Sequence, residues 1–205
     1  ALGEEVYANY YKKVRETIDS VKPGLPVFHN GGHIVQGRRD LAHANTHLEL
    51  ESLPTGGWGY DHFPMSARYV QNLGMEYLGM TGKFHTSWGE FGGFKHPNAL
   101  RYEVALSAAH GAKCSIGDHL IGKAYAELEE KEPWLDNVSP VCDIAVLSNE
   151  AMNGERLPDA EVGAGRILIE GKYQFSIVDK EVPLDGFKLL ILADNIVLDD
   201  EFEKR

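Results

Sequence analysis

Short apolar runs alternate with helix-like patterns over the first two thirds of the chain. Apolar residues three and four positions apart predict an amphipathic helix over residues 4–21, which ends before Pro23 and Gly24. Runs bounded by glycine, proline or asparagine predict strands over residues 25–29, 45–53, 77–81 and 113–116. Further helical patterns cover residues 63–73, 98–109 and 122–132. This alternation with short connections predicts parallel strands joined by crossover helices, the α/β class.

The remainder of the chain repeats the pattern in a plainer form. It predicts strands over residues 143–147, 175–178 and 188–192 and a helix over residues 160–171. All 9 histidines lie between His29 and His119, so the chemically dense part of the chain ends before this region. We therefore place a domain boundary near Pro140, which gives one unit over residues 1–139 and the beginning of a second α/β unit over residues 140–205.

Charge and composition narrow the classes of partner. The chain carries 20 Lys and Arg against 31 Asp and Glu, a formal net charge of -11, which argues against a nucleic-acid partner. Its longest apolar stretches are the size of a strand and fall far short of the roughly 20 residues that span a bilayer, so no membrane partner is expected. The 2 cysteines cannot staple a chain of 205 residues as a disulfide scaffold.

The second predicted strand carries an unusual row of polar side chains. Alternate residues on a strand share a face, so Asn45, His47, Glu49 and Glu51 are predicted to point one way, with Leu48 and Leu50 among those that point the other. A solvated edge strand would explain this row. The alternative, which we favour, is that the row lines a polar cavity, because strands of a parallel sheet are usually buried on both faces.

Polar residues also follow the other predicted strands of the first unit. His29 ends the first strand, and Asp118 and His119 follow the fourth. The loop after the third strand contains His85, Trp88 and Glu90. The carboxyl ends of parallel strands meet at one edge of a sheet, so we expect these side chains to converge on a single site.

Two chemistries fit such a site. Paired carboxylates suit glycoside hydrolysis, and aromatic side chains such as Trp58 and Trp88 can stack on a sugar ring. The rival is a metal site, because His47 and Glu49 together with His29, His85 and His119 are of the ligand types that zinc uses. The metal hypothesis ranks second, since the sequence contains no C-x-x-C spacing.

Three runs of the sequence resemble a known family. They are HLELESLPTGGWGYDHFP over residues 47–64, GMTGKFHTSWGEFGG over residues 79–93 and CSIGDH over residues 114–119. The family comprises TIM-barrel glycoside hydrolases with a β-galactosidase-type trimerisation domain, and some of its relatives are exo-acting α-L-fucosidases. The resemblance implies that residues 1–135 form the second half of a (β/α)8 barrel, roughly strands five to eight. It also implies that residues 143–198 begin a flavodoxin- or amidotransferase-like trimerisation domain.

The resemblance also implies roles for particular residues. One catalytic carboxylate of related barrels follows strand four, which would lie upstream of this chain. Related β-galactosidases favour Glu90 as a catalytic residue, and related fucosidases favour Glu49 or Glu90; we prefer Glu49, because it follows His47 on one face of a strand. The remaining polar and aromatic candidates are assigned to substrate binding: His29, His47, Glu51, Trp58, His85, Trp88, Asp118 and His119.

The expected function is therefore that of a retaining exo-glycosidase without a cofactor or metal. An oligosaccharide or glycoside is the expected substrate, with an α-L-fucoside first and a β-D-galactoside second. A metal-dependent hydrolase and a catalytically silent carbohydrate-binding protein stay open as alternatives. The second unit lacks the G-x-S-x-G or G-x-C-x-G elbow of a catalytic α/β domain, so an assembly role and a homo-oligomer, a trimer by resemblance, are expected. No signal-peptide pattern follows Ala1. The resemblance implies a cytoplasmic location, because the family usually acts on small oligosaccharides.

Overall fold

A computed structural model describes residues 2–82, 95–117 and 121–205. The first described part runs through α1 (Leu2–Val21), α2 (Arg39–Ala42), β1 (Leu48–Glu51), α3 (Gly59–Val70), a 3₁₀ turn (Gln71–Leu73) and β2 (Tyr77–Gly82). It continues with α4 (Pro97–Ala109), β3 (Lys113–Gly117), α5 (Ile121–Glu129) and a second 3₁₀ turn (Glu132–Trp134). The last part comprises β4 (Ile144–Leu147), α6 (Asn149–Asn153), α7 (Asp159–Glu170), β5 (Phe175–Val178), β6 (Leu189–Ile191) and α8 (Asp200–Glu203).

The strands form two parallel sheets, as the alternating pattern predicts. In the first sheet the order is β1-β2-β3, the order of the chain, and Glu51 of β1 lies opposite Met80 of β2. In the second sheet β4 lies between β5 and β6. Helices follow most of the strands, so the chain has the α/β class that the sequence predicts.

The prediction of a strand over residues 25–29 is wrong. This segment is extended but has no regular ladder, and its backbone contact with the region before β1 is a single bond from Thr46 N–H to the Val27 carbonyl, 2.8 Å long. The hydroxyl of Thr46 also bonds to Val27: it accepts from the Val27 N–H and donates to the Val27 carbonyl. The hydroxyl of Thr46 therefore satisfies backbone groups that a neighbouring strand would otherwise pair with.

The second strand is also shorter than the predicted residues 45–53. It begins at Leu48, because Asn45 bonds locally and closes the turn after α2 instead of joining the sheet. Most other predicted elements agree with the structure to within a few residues, and Gly74 ends the helical run in the left-handed conformation that its position predicts. Three short helices, α2, α6 and α8, have no periodic apolar pattern and are not predicted.

Helix α3 lies between the two sheets and is buried on all sides. Its residues from His62 to Val70 are all buried, and five apolar or aromatic side chains among them form one hydrophobic cluster with apolar side chains of both sheets. Phe63 and Tyr69 of α3 belong to this cluster together with Leu50 of β1 and Phe175 of β5. The helix therefore joins the two sheets into one core; the predicted domain boundary near Pro140 stays a prediction.

Helix α1 differs from α3 in its surroundings. It is 20 residues long, yet it contains no buried residue, and Val6, Tyr7 and Tyr10 are exposed. Among the described residues, no helix is both long enough and apolar enough to cross a membrane.

A polar cluster reinforces the contact between the sheets at the end of α3. Arg39 donates two hydrogen bonds of 2.9 and 2.8 Å to the carboxylate of Asp179, and the Tyr69 hydroxyl donates a third of 2.9 Å. Burial alone would raise the pKa of Asp179, but the bonds from Arg39 and Tyr69 outweigh it and lower that pKa. The Tyr69 oxygen in turn accepts from the N–H of Gly37.

Gly37 is required by the same contact. Its φ is +81°, and a Cβ at this position would lie 2.8 Å from the Cα of Ala151 beside the second sheet. Both the conformation and the close approach of two backbones exclude a side chain.

We expect Gly37→Ala to lower the free energy of unfolding on the order of 2 kcal/mol, because it adds left-handed strain and a backbone clash. Gly163→Ala in α7 is the matched control: nothing lies within 4 Å of its added Cβ, so it should raise stability by about 0.5–1 kcal/mol. Urea unfolding of both variants measures the two changes. Equal effects of the two substitutions would contradict the packing described here.

Candidate active site

Strand β1 separates apolar from polar side chains as its alternation predicts. Leu48 and Leu50 are buried at 1% exposure each, and Glu49 and Glu51 on the opposite face are less buried. The apolar face packs into the core around α3. The two carboxylates therefore share one face near the carboxyl end of a parallel strand.

His47 and Glu49 form a pair on this face. The His47 Nε2 lies 3.3 Å from Glu49 Oε1, and the other ring nitrogen lies 3.2 Å from the hydroxyl of Thr46. The side chain of Glu49 is 14% exposed. The imidazole can thus hold the carboxylate by a hydrogen bond and leave part of it accessible.

Glu51 is held by an indole. Trp58, just before α3, donates its Nε1–H to Glu51 Oε2 at 2.5 Å. Gly32 approaches the same pair so closely that an added Cβ would lie 3.0 Å from Glu51 Oε2 and 3.2 Å from Trp58 Cζ2. The carboxylate of Glu51 is therefore fixed by a short hydrogen bond and by backbone packing.

Two buried histidines lie behind Trp58. The ring of His62 stacks on Trp58 with centroids 4.1 Å apart and planes 14° apart. The Nε2 of His62 lies 3.0 Å from Nδ1 of His33, and Nε2 of His33 lies 2.8 Å from Oε2 of Glu150. Glu150 belongs to α6, directly after β4, so this line of contacts connects the second sheet with Glu51 on the first.

Burial keeps His62 in its neutral form. The pKa of His62 is lowered to about 3, first by removal from water and then by His33 and Arg156, while the backbone of Glu51 opposes them. A neutral imidazole can face the indole and His33 without the cost of a buried charge.

A second buried carboxyl group lies next to Glu150. Glu161 of α7 accepts the N–H of Asn149 at 2.7 Å, and burial raises the pKa of Glu161 to about 7, with a further contribution from Glu150. The region around Glu150 therefore combines a histidine partner on one side with a carboxyl group that resists ionisation on the other.

His29 occupies a different environment. Its ring stacks on Tyr11 of α1 at 4.0 Å and meets Tyr10 edge-on at 5.6 Å, while its backbone N–H donates to Asn45. Burial, and then the charge of Arg15, lower the pKa of His29. The described contacts of His29 are thus with α1 and Asn45 rather than with Glu49 or Glu51.

Five of the predicted site residues lie outside the described residues: His85, Trp88, Glu90, Asp118 and His119. The two ends of the segment that contains the first three are tied together. Lys95 Nζ donates to both oxygens of Glu103 at 2.8 Å and to the Thr81 hydroxyl at 3.1 Å, and Thr81 also donates to Glu103. Lys95 and Glu103 are each 1% exposed. This buried ion pair and its hydrogen bonds to Thr81 hold the end of β2 next to the beginning of α4.

The comparisons with known proteins identify the relatives of this site. No protein-family model matches the chain, and no curated protein sequence matches it. A solved structure does: α-L-fucosidase isoenzyme 2 from Paenibacillus thiaminolyticus, with 57% sequence identity and a TM-score of 0.89. The match covers 98% of this chain and 33% of that one.

The chain is similar to this α-L-fucosidase over almost its whole length. It spans about a third of the length of the fucosidase that it matches. The resemblance to fucosidases that the three sequence runs indicate is therefore confirmed, and the face shared by Glu49 and Glu51 belongs to a fucosidase-like fold.

The sequence analysis does not select three residues of this candidate site: His33, His62 and Glu150. His33 and His62 carry no periodic signal of their own, although His62 lies inside one of the runs that carry the resemblance. Glu150 lies in α6, the short helix that follows β4. The rule that functional groups follow the carboxyl ends of parallel strands would have found Glu150 if it had been applied to the second unit as well as the first.

The metal hypothesis gains no geometric support from the described part of the chain. Over residues 2–82, 95–117 and 121–205, no three His, Cys, Asp or Glu side chains are arranged to hold a metal ion.

The neutral state of His62 has a consequence for stability. The unfolded chain holds this histidine at its ordinary pKa of 6.5 and the folded chain at about 3, so the unfolded state takes up the proton first as the pH falls. The contribution of His62 is full above about pH 6.5 and is lost as the pH falls towards the folded value.

We therefore expect the stability of the wild type, measured relative to His62→Gln, to fall by about 2 kcal/mol between pH 7 and pH 5. Urea unfolding of both proteins at each pH measures this difference. Glu161 changes stability in the opposite direction as the pH falls, but both proteins contain it, so its contribution cancels in the difference. Between pH 7 and pH 8 the difference should hardly change. A difference that is the same at pH 5 and pH 7 would show that His62 is not held neutral.

Proposed function

We propose that this chain is part of a retaining exo-α-L-fucosidase. The observation that carries the proposal is the 57% identity to an α-L-fucosidase over 98% of the chain, at a TM-score of 0.89. Because the chain spans 33% of that protein, the proposed activity is that of the complete gene product.

Glu49 is proposed as one of the two catalytic carboxylates. In a retaining mechanism one carboxylate attacks the anomeric carbon and forms a covalent glycosyl-enzyme, while the other protonates the departing oxygen and then activates water. Glu49 suits the acid/base role, since His47 orients it at 3.3 Å and its side chain is partly accessible. The nucleophile would come from a strand upstream of this chain, and Glu90 is the second candidate for the acid/base.

His47 and Glu51 are proposed to bind substrate hydroxyls. Glu51 has one oxygen engaged by Trp58, which leaves the other oxygen to accept from a sugar. His85, Trp88, Asp118 and His119, which follow β2 and β3 in the sequence, keep the same proposed role, and His29 keeps it beside α1.

The first sheet is proposed to be part of the wall of a (β/α)8 barrel. Support comes from three neighbouring parallel strands in chain order, with helices between them, and from polar side chains near the end of β1. The second sheet is proposed as the beginning of a trimerisation-type domain.

Substitution of Glu49 by glutamine should lower the kcat for an aryl α-L-fucoside by several orders of magnitude, because a neutral amide can neither donate the proton nor activate water. The assay is release of the aryl group by the complete gene product. Glu76→Gln is the matched control, since Glu76 is an exposed glutamate at the opposite end of the same sheet, paired with Lys113 at 3.0 Å; it should retain wild-type turnover.

Near-wild-type turnover by Glu49→Gln would remove this residue from the mechanism. A β-D-galactoside and an assay with chelator test the other hypotheses. Release of the aryl group from the galactoside alone would show that the terminal sugar is galactose instead of fucose. Loss of activity with chelator would indicate a metal-dependent hydrolase. Sugar binding without release of the aryl group would indicate a silent carbohydrate-binding protein.

The complete gene product should be a homo-oligomer, a trimer by resemblance. Apolar side chains such as Ile167 and Tyr173 are exposed on the second unit and would be covered by a neighbouring copy. Light scattering at micromolar concentration measures the mass, and a monomer would contradict the assembly role.

A further inference from the structure

We propose that Glu150, which lies beside the second sheet, is a positioning residue for the carboxylate of Glu51 on the first sheet. The inference rests on the proposed function, because it assigns Glu51 to the sugar site. Glu150 acts through three side chains, His33, His62 and Trp58, and does not touch the substrate itself.

The contact at the Glu150 end is buried and specific. Its side chain is 7% exposed and that of His33 is 1% exposed, and the two are 2.8 Å apart. The same oxygen also accepts the backbone N–H of Gln36 at 3.3 Å. The guanidinium of Arg156 lies 3.9 Å from the other oxygen, so Glu150 is held from both sides.

Glu150 determines which nitrogen of His33 carries a proton. A carboxylate only accepts hydrogen bonds, so the 2.8 Å contact requires a proton on Nε2 of His33. With its proton on Nε2, His33 can accept from Nε2–H of His62 through Nδ1, 3.0 Å away. The orientation of the His62 ring is in this way tied to Glu150.

The His62 ring in turn fixes the indole. The two rings lie almost parallel at 4.1 Å, and Gly32 packs against the edge of the indole next to Glu51. The stacked ring of His62 and the nearby backbone of Gly32 therefore restrict rotation of the indole. Its Nε1–H points at Glu51 Oε2, 2.5 Å away, which completes the line from one sheet to the other.

The physical reason for an effect on the reaction is orientation. A carboxylate that binds a sugar must be held close to its productive position, and small displacements lower the rate strongly. Loss of Glu150 would leave His33 with a buried donor and no acceptor, so His33 and His62 would reorganise and Trp58 would lose its support.

The test is a double-substitution cycle in the complete gene product, assayed with an aryl α-L-fucoside. Glu150→Ala should lower kcat/KM at least tenfold in the wild-type background and less than threefold in the Glu51→Gln background, because the carboxylate that it positions is then already lost. Glu150→Gln, which retains a hydrogen-bond acceptor, should recover part of the rate. It also serves as the test variant if Glu150→Ala does not fold.

Asp61→Asn is the matched control for a general effect on the contact between the units. Arg166 of α7 donates two bonds of 2.8 and 2.6 Å to Asp61, so this pair crosses the same interface without touching the histidines. Its effect on kcat/KM should be the same with and without Glu51. Equal effects of Glu150→Ala in both backgrounds would overturn the proposal and leave Glu150 with a merely structural role.

A readout that needs no activity separates this proposal from the proposed function. The fluorescence of Trp58, obtained as wild type minus Trp58→Phe, should shift in position or intensity when Glu150 is replaced by alanine or glutamine. An unchanged Trp58 spectrum would overturn the positioning role even in an active enzyme. A changed spectrum together with no release from any α-L-fucoside would support the positioning role and overturn the proposed function instead.

Discussion

The burial of α3 between two parallel sheets is the constraint on which the rest of the structure depends. A helix in this place cannot turn a polar face to water, and residues from His62 to Val70 are all buried. Three of its buried polar side chains, His62, Arg68 and Tyr69, find partners inside the protein. At the beginning of the helix these partners are His33 and Trp58, and at the end the partner of Tyr69 is Asp179.

Both polar clusters connect the two sheets, and they differ in what they offer chemically. The cluster at the end of α3 consists of a paired arginine and carboxylate with a lowered carboxyl pKa, and its role is structural. The cluster at the beginning contains the neutral imidazole of His62 and leads through an indole to Glu51. Only this second cluster lies beside the face of β1 that carries the proposed catalytic and binding residues, so the contact between the units is adjacent to the site.

Much of the fold could be predicted because parallel strands and long helices leave strong periodic signals. The helices at residues 2–21 and 97–109 and the strand β5 lie almost where the pattern places them. The segment 25–29 has the composition of a strand, but Thr46 satisfies its backbone groups with a hydroxyl, and a single sequence does not reveal such a long-range partner. The short helices α2 and α6 have no periodic apolar pattern and depend on tertiary contacts, which a single sequence does not reveal either.

The candidate site divides in a similar way. The alternation of β1 predicts that Glu49 and Glu51 share a face opposite Leu48 and Leu50, and burial confirms it. Contacts between distant parts of the chain could not be predicted: Glu150 is 117 residues from His33, and no spacing rule connects them. His29 was expected beside the carboxylates, but its ring stacks on Tyr11, since α1 offers an aromatic surface at the point where the chain turns back.

The central claim is that the polar face of β1 meets the reacting sugar, with Glu49 at the glycosidic oxygen. The most direct measurement is a crystal structure of the complete gene product with an iminosugar of L-fuco configuration. We expect the sugar ring to lie against this face, with Glu49 within about 3.2 Å of the position of the leaving-group oxygen and Glu51 on a ring hydroxyl. A sugar bound out of reach of Glu49, with this face of β1 covered by other protein side chains, would contradict it.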